Sequence, residues 1–293
     1  MNRIIHFKKL ICFFTCFFFC FLGFAKDFSI SITPLVLNAN GTLNEYVYTH
    51  SAEFNTDFKL SELNWNIENY VQYGQKLSIN KNHFGINYSF LAGGDRTSNV
   101  MYDSDWQNPD DLNMKTNFSI SDNTITSFYN TSLSFLYLFN NWQYFEIAPS
   151  FTLNYYSINF EARNGYGWDG DSIYHNPPVS WNDKGAHYLP QGVLCGIDYS
   201  RFDFHFILGA VTTFKLWDRV FLSADLGFPV FSILNSLDTH YSNTKCTSGT
   251  CFNDRFRAAF TGVNVDVTLS IKIVDFLLLS GFFDYLPLKL YDF

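Results

Sequence analysis

Alternation of small or polar residues with apolar ones, sustained with a period of two, limits this chain to strands. The stretches "NYSFLAG", "YNTSLSFLYLF", "IAPSFTLNYYSINFEA", "IDYSRFDFHFILGAV", "VFLSADLGFPVFSIL" and "VNVDVTLSIKI" all carry it. Successive side chains of a strand point to opposite faces, so each stretch offers one apolar face and one mixed face. Most run well past the length of a globular strand, about five or six residues. Long alternating strands, with lipid on one side and a wet lumen on the other, are what an antiparallel transmembrane β-barrel requires. No helical rhythm persists, and beyond residue 25 no apolar run reaches the roughly 18 residues of a spanning helix.

The connections alternate in length. "INKNH", "FNNWQ", "KLWDR" and "KIVDF" are tight, whereas residues 38–59, 93–125, 163–188 and 235–255 are long and polar. Short turns on one rim and long loops on the other are the outer-membrane pattern, with the long loops outside the cell. Nine alternating segments are predicted, near Phe28–Thr49, Leu60–Ser78, Phe84–Gly93, Ile125–Phe139, Tyr144–Arg163, His187–Phe214, Val220–Leu234, Phe256–Ile273 and Phe276–Leu290. Single-chain bacterial barrels have even strand counts, so the expectation is a barrel one strand short or closed under strain. There is no internal repeat and no linker, which predicts a single barrel domain over residues 26–293.

The N-terminus fits export. Arg3, Lys8 and Lys9 precede an apolar run over residues 10–24, and Gly23-Phe24-Ala25 offers small residues at a cleavage site, which predicts a signal peptide over 1–25. Aromatic residues make up 20% of the chain and charged ones 16%, a balance that suits aromatic girdles. The net charge of −8 argues against a nucleic-acid partner. Cys12, Cys16 and Cys20 leave with the signal. Cys246 and Cys251 flank the turn "CTSGTC" and are expected to form a local disulfide, with Cys195 left as a small buried or lipid-facing residue. "GYGWDGD" has too few regularly spaced oxygens for calcium, and His175, His187 and His205 lack ligand spacing, so no metal or cofactor is expected.

Two carboxylate-bearing motifs carry the candidate chemistry. "MYDSDW" sets Asp103 and Asp105 two apart, and "NSLDTHY" sets Asp238 and His240 two apart, at the bases of two loops on one rim. Period two puts the members of each pair on one face of a strand. With both faces turned to the lumen, the pairs meet across a groove suited to hydrolysis. His240 takes a proton from water, Asp238 holds the imidazole, and the Asp103/Asp105 couple, sharing one proton, polarises the carbonyl.

In these motifs and their order the chain resembles the omptin family of outer-membrane proteases, ten-stranded barrels with an active-site groove at the cell surface. "MYDSDW" resembles the stretch with the family's aspartate couple, and "DTHY" its Asp-x-His-Tyr. "SELNWNIENYVQYG" resembles the second strand, "INFEARNG" the strand ending in Ala-Arg-Gly-Gly, and "EYVY" a first-loop segment with a glutamate. The resemblance implies an aspartic-type surface endopeptidase acting on proteins or peptides outside the cell. It implies substrate binding by Glu45, contact of Arg163 and Arg201 with lipopolysaccharide phosphates, and an outer-membrane lipid as activator. An ion pair at the lumen or rim is the alternative for both arginines. The family's Trp-Thr-Asp/His-Pro signature is absent, replaced by "NPDDLNMKTNFS", and Ser236 stands where a second carboxylate would face a basic side chain. These departures weaken the expected preference for basic residues. They also leave a rival reading, a non-catalytic barrel serving as adhesin or porin.

Overall fold

A computed structural model describes residues 28–139, 144–241, 245–259, 262–274 and 277–285, and their regular structure is all β. The predicted signal peptide and the centres of two predicted short turns, 140–143 and 275–276, lie outside the described residues. The strands are β1 (Phe28–Ser51), β2 (Thr56–Lys81), β3 (Phe84–Gly93), β4 (Arg96–Asp105), β5 (Asn117–Tyr137), β6 (Phe145–Asp169), β7 (His187–Leu194), β8 (Ile197–Trp217), β9 (Val220–Tyr241), β10 (Gly249–Ala258), β11 (Asn264–Val274) and β12 (Leu277–Tyr285). One antiparallel sheet holds them in the order β1-β2-β3-β5-β6-β8-β9-β11-β12.

Three strands lie off that path. β4 pairs with β2 and β5, β7 with β6, and β10 with β9. Each therefore continues a strand of the path: β4 follows β3, β7 precedes β8 and β10 precedes β11, with one interruption in each. Nine crossing strands result among the described residues, at the positions that the alternation predicts. No ladder joins β12 to β1 among the described residues, and 286–293 lie outside them. The break between β7 and β8 needs its glycine: Gly196 has φ +125°, and a Cβ there would lie 1.8 Å from the carbonyl oxygen of Ala162.

Strand length explains the shape. β1, β2 and β6 have 24, 26 and 25 residues, while about 9–11 tilted residues cross the hydrocarbon layer. Roughly half of each therefore stands clear of the membrane. The crossing half is marked by an outward apolar band; on β3, alternate residues Phe84, Ile86, Tyr88 and Phe90 are exposed. On β5 the exposed Tyr129 and Tyr137 bound the band, separated by about 27 Å along the strand. Rings meet at its lower edge (Phe84–Tyr137, 5.2 Å; Phe145–Phe214, 6.3 Å) and its upper edge (Tyr155–Phe202, 6.3 Å), as in the interfacial girdles of outer-membrane barrels.

The sheet curls around an interior. Trp65 of β2 packs on Phe160 of β6 and stacks on Tyr199 of β8, at 5.2 and 5.6 Å between centroids. With Leu63, Met101 and Ile158 these rings form an apolar cluster inside the barrel. Below it the interior is polar, lined by Gln72, Asn130, Asn154 and His205.

The structure corrects the extent of the loops. Residues 96–105 and 117–125, expected within a loop, are β4 and the start of β5; 235–241 and 249–255 extend β9 and β10. Beyond the membrane the outer face of a strand meets water and the inner face mixes apolar packing with polar cavity lining, so these stretches carry no sustained apolar alternation although the backbone ladder continues. The longer connections are 106–116 and 170–186.

Candidate active site

The site is built in the half that stands clear of the membrane, on the long-loop rim, from two walls. On one wall, Glu45 of β1 lies opposite Leu63 of β2, which lies opposite Asp103 of β4. One row up, Ser61 lies opposite Asp105. Asp103 and Asp105 share the inner face, while Ser104 between them accepts a hydrogen bond from Lys115 at 3.0 Å. On the other wall, Asp238 of β9 lies between Tyr199 of β8 and Phe252 of β10, with His240 one row above. The Phe252 ring stands edge-on to the His240 imidazole, 5.5 Å between centroids.

Both walls face one cavity of about 1800 Å³, whose lining includes Glu45, Asp103, Asp105, Ser236, Asp238 and His240. Asp238 Oδ2 lies 2.6 Å from His240 Nε2. Asp238 is buried, at 4% exposure. Its Oδ1, Asp103 Oδ1 and Glu45 Oε2 are buried without a protein partner. Among the described residues no His, Cys, Asp or Glu cluster has the form of a metal site.

Crowded, poorly solvated carboxyls resist ionisation. Burial, followed by the Asp105 charge, pushes Asp103 up to about 8. Burial, then Asp238, pushes Glu45 up to about 8. Asp105 is also raised, by burial first, although Ser61 bonds to it and His240 opposes the shift. For His240 burial works against the charged form, but the hydrogen bond and charge of Asp238, with Asp103 and Glu45, outweigh it and raise the imidazole. Asp103 and Glu45 thus hold protons at neutral pH, and the imidazole is a stronger base than a free one.

The four residues of the candidate constellation therefore come together as two facing pairs, and Glu45 joins them. Other expectations are corrected. The disulfide joins Cys195 to Cys246, with 5.7 Å between Cα atoms, and not Cys246 to Cys251. Cys251 is exposed on β10, where it meets Thr239, whereas Cys195 sits in the break between β7 and β8, next to the β9–β10 connection. Sequence proximity misled because β10 carries Cys251 away from the connection that holds Cys246. Alkylation of the unreduced protein should label Cys251 alone among these three, with Cys195 and Cys246 labelled after reduction; a Cys246–Cys251 peptide in the digest would refute the pairing.

Arg201 does not reach the lipid face. It points into the barrel and holds Asp203 with two nitrogens, Nε at 2.9 and Nη2 at 2.7 Å. Arg163 lies near the rim, where Nη2 meets Asp198 at 2.5 Å and Nη1 donates to the carbonyls of Ala162 and Ile197. The ion-pair alternative is the one the geometry shows for both. In "GYGWDGD", Asp169 and Asp171 are buried and brace their own turn: Asp169 Oδ1 accepts from the Asp171 amide and Asp171 Oδ1 from that of Ile173.

Two residues escaped the sequence reading. Tyr199 is buried between Trp65 and Asp238, and Asp254 of β10 lines the cavity directly opposite Ser236. Alternation marks Tyr199 as facing inward, but nothing local in the sequence says which strand Asp254 faces.

The family model described as "Omptin family" matches residues 24–279 of the chain. Among solved structures the chain is similar to the crystal structure of outer membrane protease OmpT from Escherichia coli, with a TM-score of 0.70 at 16% identity, over 86% of this chain and 81% of that one. No curated protein matches the chain.

Proposed function

The chain belongs to the Omptin family, and from that premise we propose that it is an outer-membrane endopeptidase whose cavity opens to the cell exterior. The observation that carries this reading is the His240–Asp238 contact facing the Asp103/Asp105 couple across one cavity. With its Nε2–H donated to Asp238, His240 keeps the lone pair of Nδ1. A water oxygen adds to the peptide carbonyl carbon while its proton passes to Nδ1. The carbonyl oxygen, now carrying the charge, accepts a hydrogen bond from the protonated carboxyl of the aspartate couple. The imidazolium then gives its proton to the amide nitrogen as the C–N bond breaks. The raised Asp103 supports this role, since a carboxyl that ionises near 8 still donates at neutral pH. The long-loop rim faces outward in this reading, which gives protein substrates access. An outer-membrane lipid as activator is retained as part of the proposal.

The pH dependence has a definite sign. The base must be neutral, so activity falls as pH drops through the pKa of His240, which lies above its ordinary 6.5. The couple must hold a proton, so activity also falls as pH rises past about 8. Protein folded in outer-membrane lipid should cleave fluorogenic peptides with a narrow bell-shaped kcat/KM profile between these limits. No cleavage of any peptide would overturn the enzymatic reading, and an optimum well below pH 6 would overturn the mechanism.

A further inference from the structure

Resting on that reading, we propose that Lys115 is a positioning residue for the aspartate couple. It grips Ser104 from the outer face of the wall and so fixes how Asp103 and Asp105 point into the cavity. Lys115 lies in "NPDDLNMKTNFS", the segment that replaces the family signature. Its ammonium donates to Ser104 Oγ at 3.0 Å, and Ser104 is buried between the two aspartates. Trp106, Phe118 and Trp181 present their rings to the same ammonium, with centroids at 5.4, 4.9 and 5.8 Å. Ring faces hold a cation electrostatically and leave its N–H donors free for the serine. In the ladder Ser104 lies between Glu62 of β2 and Phe118 of β5. Glu62 is paired with Lys59, which leaves Lys115 to the serine.

The grip matters because the cavity side does little to hold the couple. Asp103 Oδ1 is buried without a protein partner. The Asp103 carboxyl accepts instead from the amide of Ser104, and the Asp105 carboxyl from Ser61 on β2. Fixing Ser104 therefore fixes the donor that orients Asp103. The backbone beside Lys115 ties down the same place. β4 ends at Asp105, whose carbonyl accepts from the Thr116 amide at 2.9 Å and from its hydroxyl at 3.2 Å. The Lys115 carbonyl in turn accepts from the Trp181 amide at 3.1 Å, which anchors the 170–186 connection to it. A strand end without such ties opens easily, and a couple carried on it would not keep one geometry.

The test uses the full chain folded in outer-membrane lipid. Lys115→Met keeps the ring contacts but removes the donor, and Ser104→Ala removes the acceptor without changing any charge. Each should lower kcat by about 10- to 100-fold, the scale of a small misplacement at a reacting centre. KM should stay nearly unchanged, since the lost contact does not bind substrate. The double variant should lose no more than the worse single one, because both break one contact. Lys115→Arg, which keeps a cationic donor on the rings, should restore most of kcat. All four variants should keep the heat-modifiable compact form. Wild-type kcat in either single variant, additive losses in the double, or losses that only accompany loss of the compact form overturn the assignment. If the wild type cleaves no peptide, the peptidase reading falls and the His240 imidazole decides the positioning. Asp238, Asp103 and Glu45 raise that imidazole, so withdrawing Asp103 through Ser104→Ala should lower the pH at which its ring protons titrate by NMR. A lowered titration keeps the positioning role; an unmoved one overturns it too.

Discussion

His240→Ala is expected to lose peptide cleavage by about 10²–10⁴-fold, the usual cost of removing a positioned base. Asp103→Asn should lose a comparable factor for a different reason. The amide still offers a donor, but it cannot share a proton with Asp105 or follow the charge that develops on the substrate oxygen. Neither change should unfold the barrel. Both side chains line the cavity in the half beyond the membrane, and neither belongs to the apolar cluster around Trp65. Heat-modifiable migration on a gel, measured beside cleavage, separates the two effects. Compact protein that still cleaves at wild-type rate in both variants would eliminate the mechanism. The double variant should lose little more than the worse single one, because groups that act on one step do not add.

Arg201→Ala should destabilise the barrel by about 3–5 kcal/mol, the cost of leaving a buried charge without its partner. Asp203 is 1% exposed, and three hydrogen bonds from the guanidinium hold its two oxygens. Removing the cation leaves a carboxylate in a poorly solvated interior beside His205, which is itself buried and bonded to Ser232. The double change Arg201→Leu with Asp203→Leu should cost much less than Arg201→Ala, since an apolar pair removes the desolvation cost of both charges. The unfolding midpoint in urea, followed by loss of the compact gel form, measures the difference. A double variant as unstable as the single one would mean that Arg201 supports the wall by packing alone.

Much of this molecule was legible in the chain because strands write their faces with period two. The outward band of Phe84, Ile86, Tyr88 and Phe90 is visible in "FGINYSF" before any coordinates, and nine segments follow from the same rule. The pairs Asp103/Asp105 and Asp238/His240 were legible for the same reason: residues two apart on a strand must share a face. Much of the tall half was not legible, because its outer face is wetted and its inner face mixes apolar packing with polar cavity lining, which interrupts the alternation. Residues 96–105 therefore read as a loop although they form β4.

What the sequence by itself determined is the strand, the face and the local pair. Register between strands remained for the tertiary structure, since it depends on which backbone groups meet and not on residues near in sequence. Register sets Glu45 in the row of Asp103, puts Asp254 opposite Ser236, and gives Cys246 to Cys195 instead of its near neighbour Cys251. The curl of the sheet decided the rest. It brings β9 to face β1 and β4, so that Asp238 and His240 lie within electrostatic reach of Glu45 and Asp103. Charges far apart along the chain raise one another's protons only when the fold shares one poorly solvated space among them.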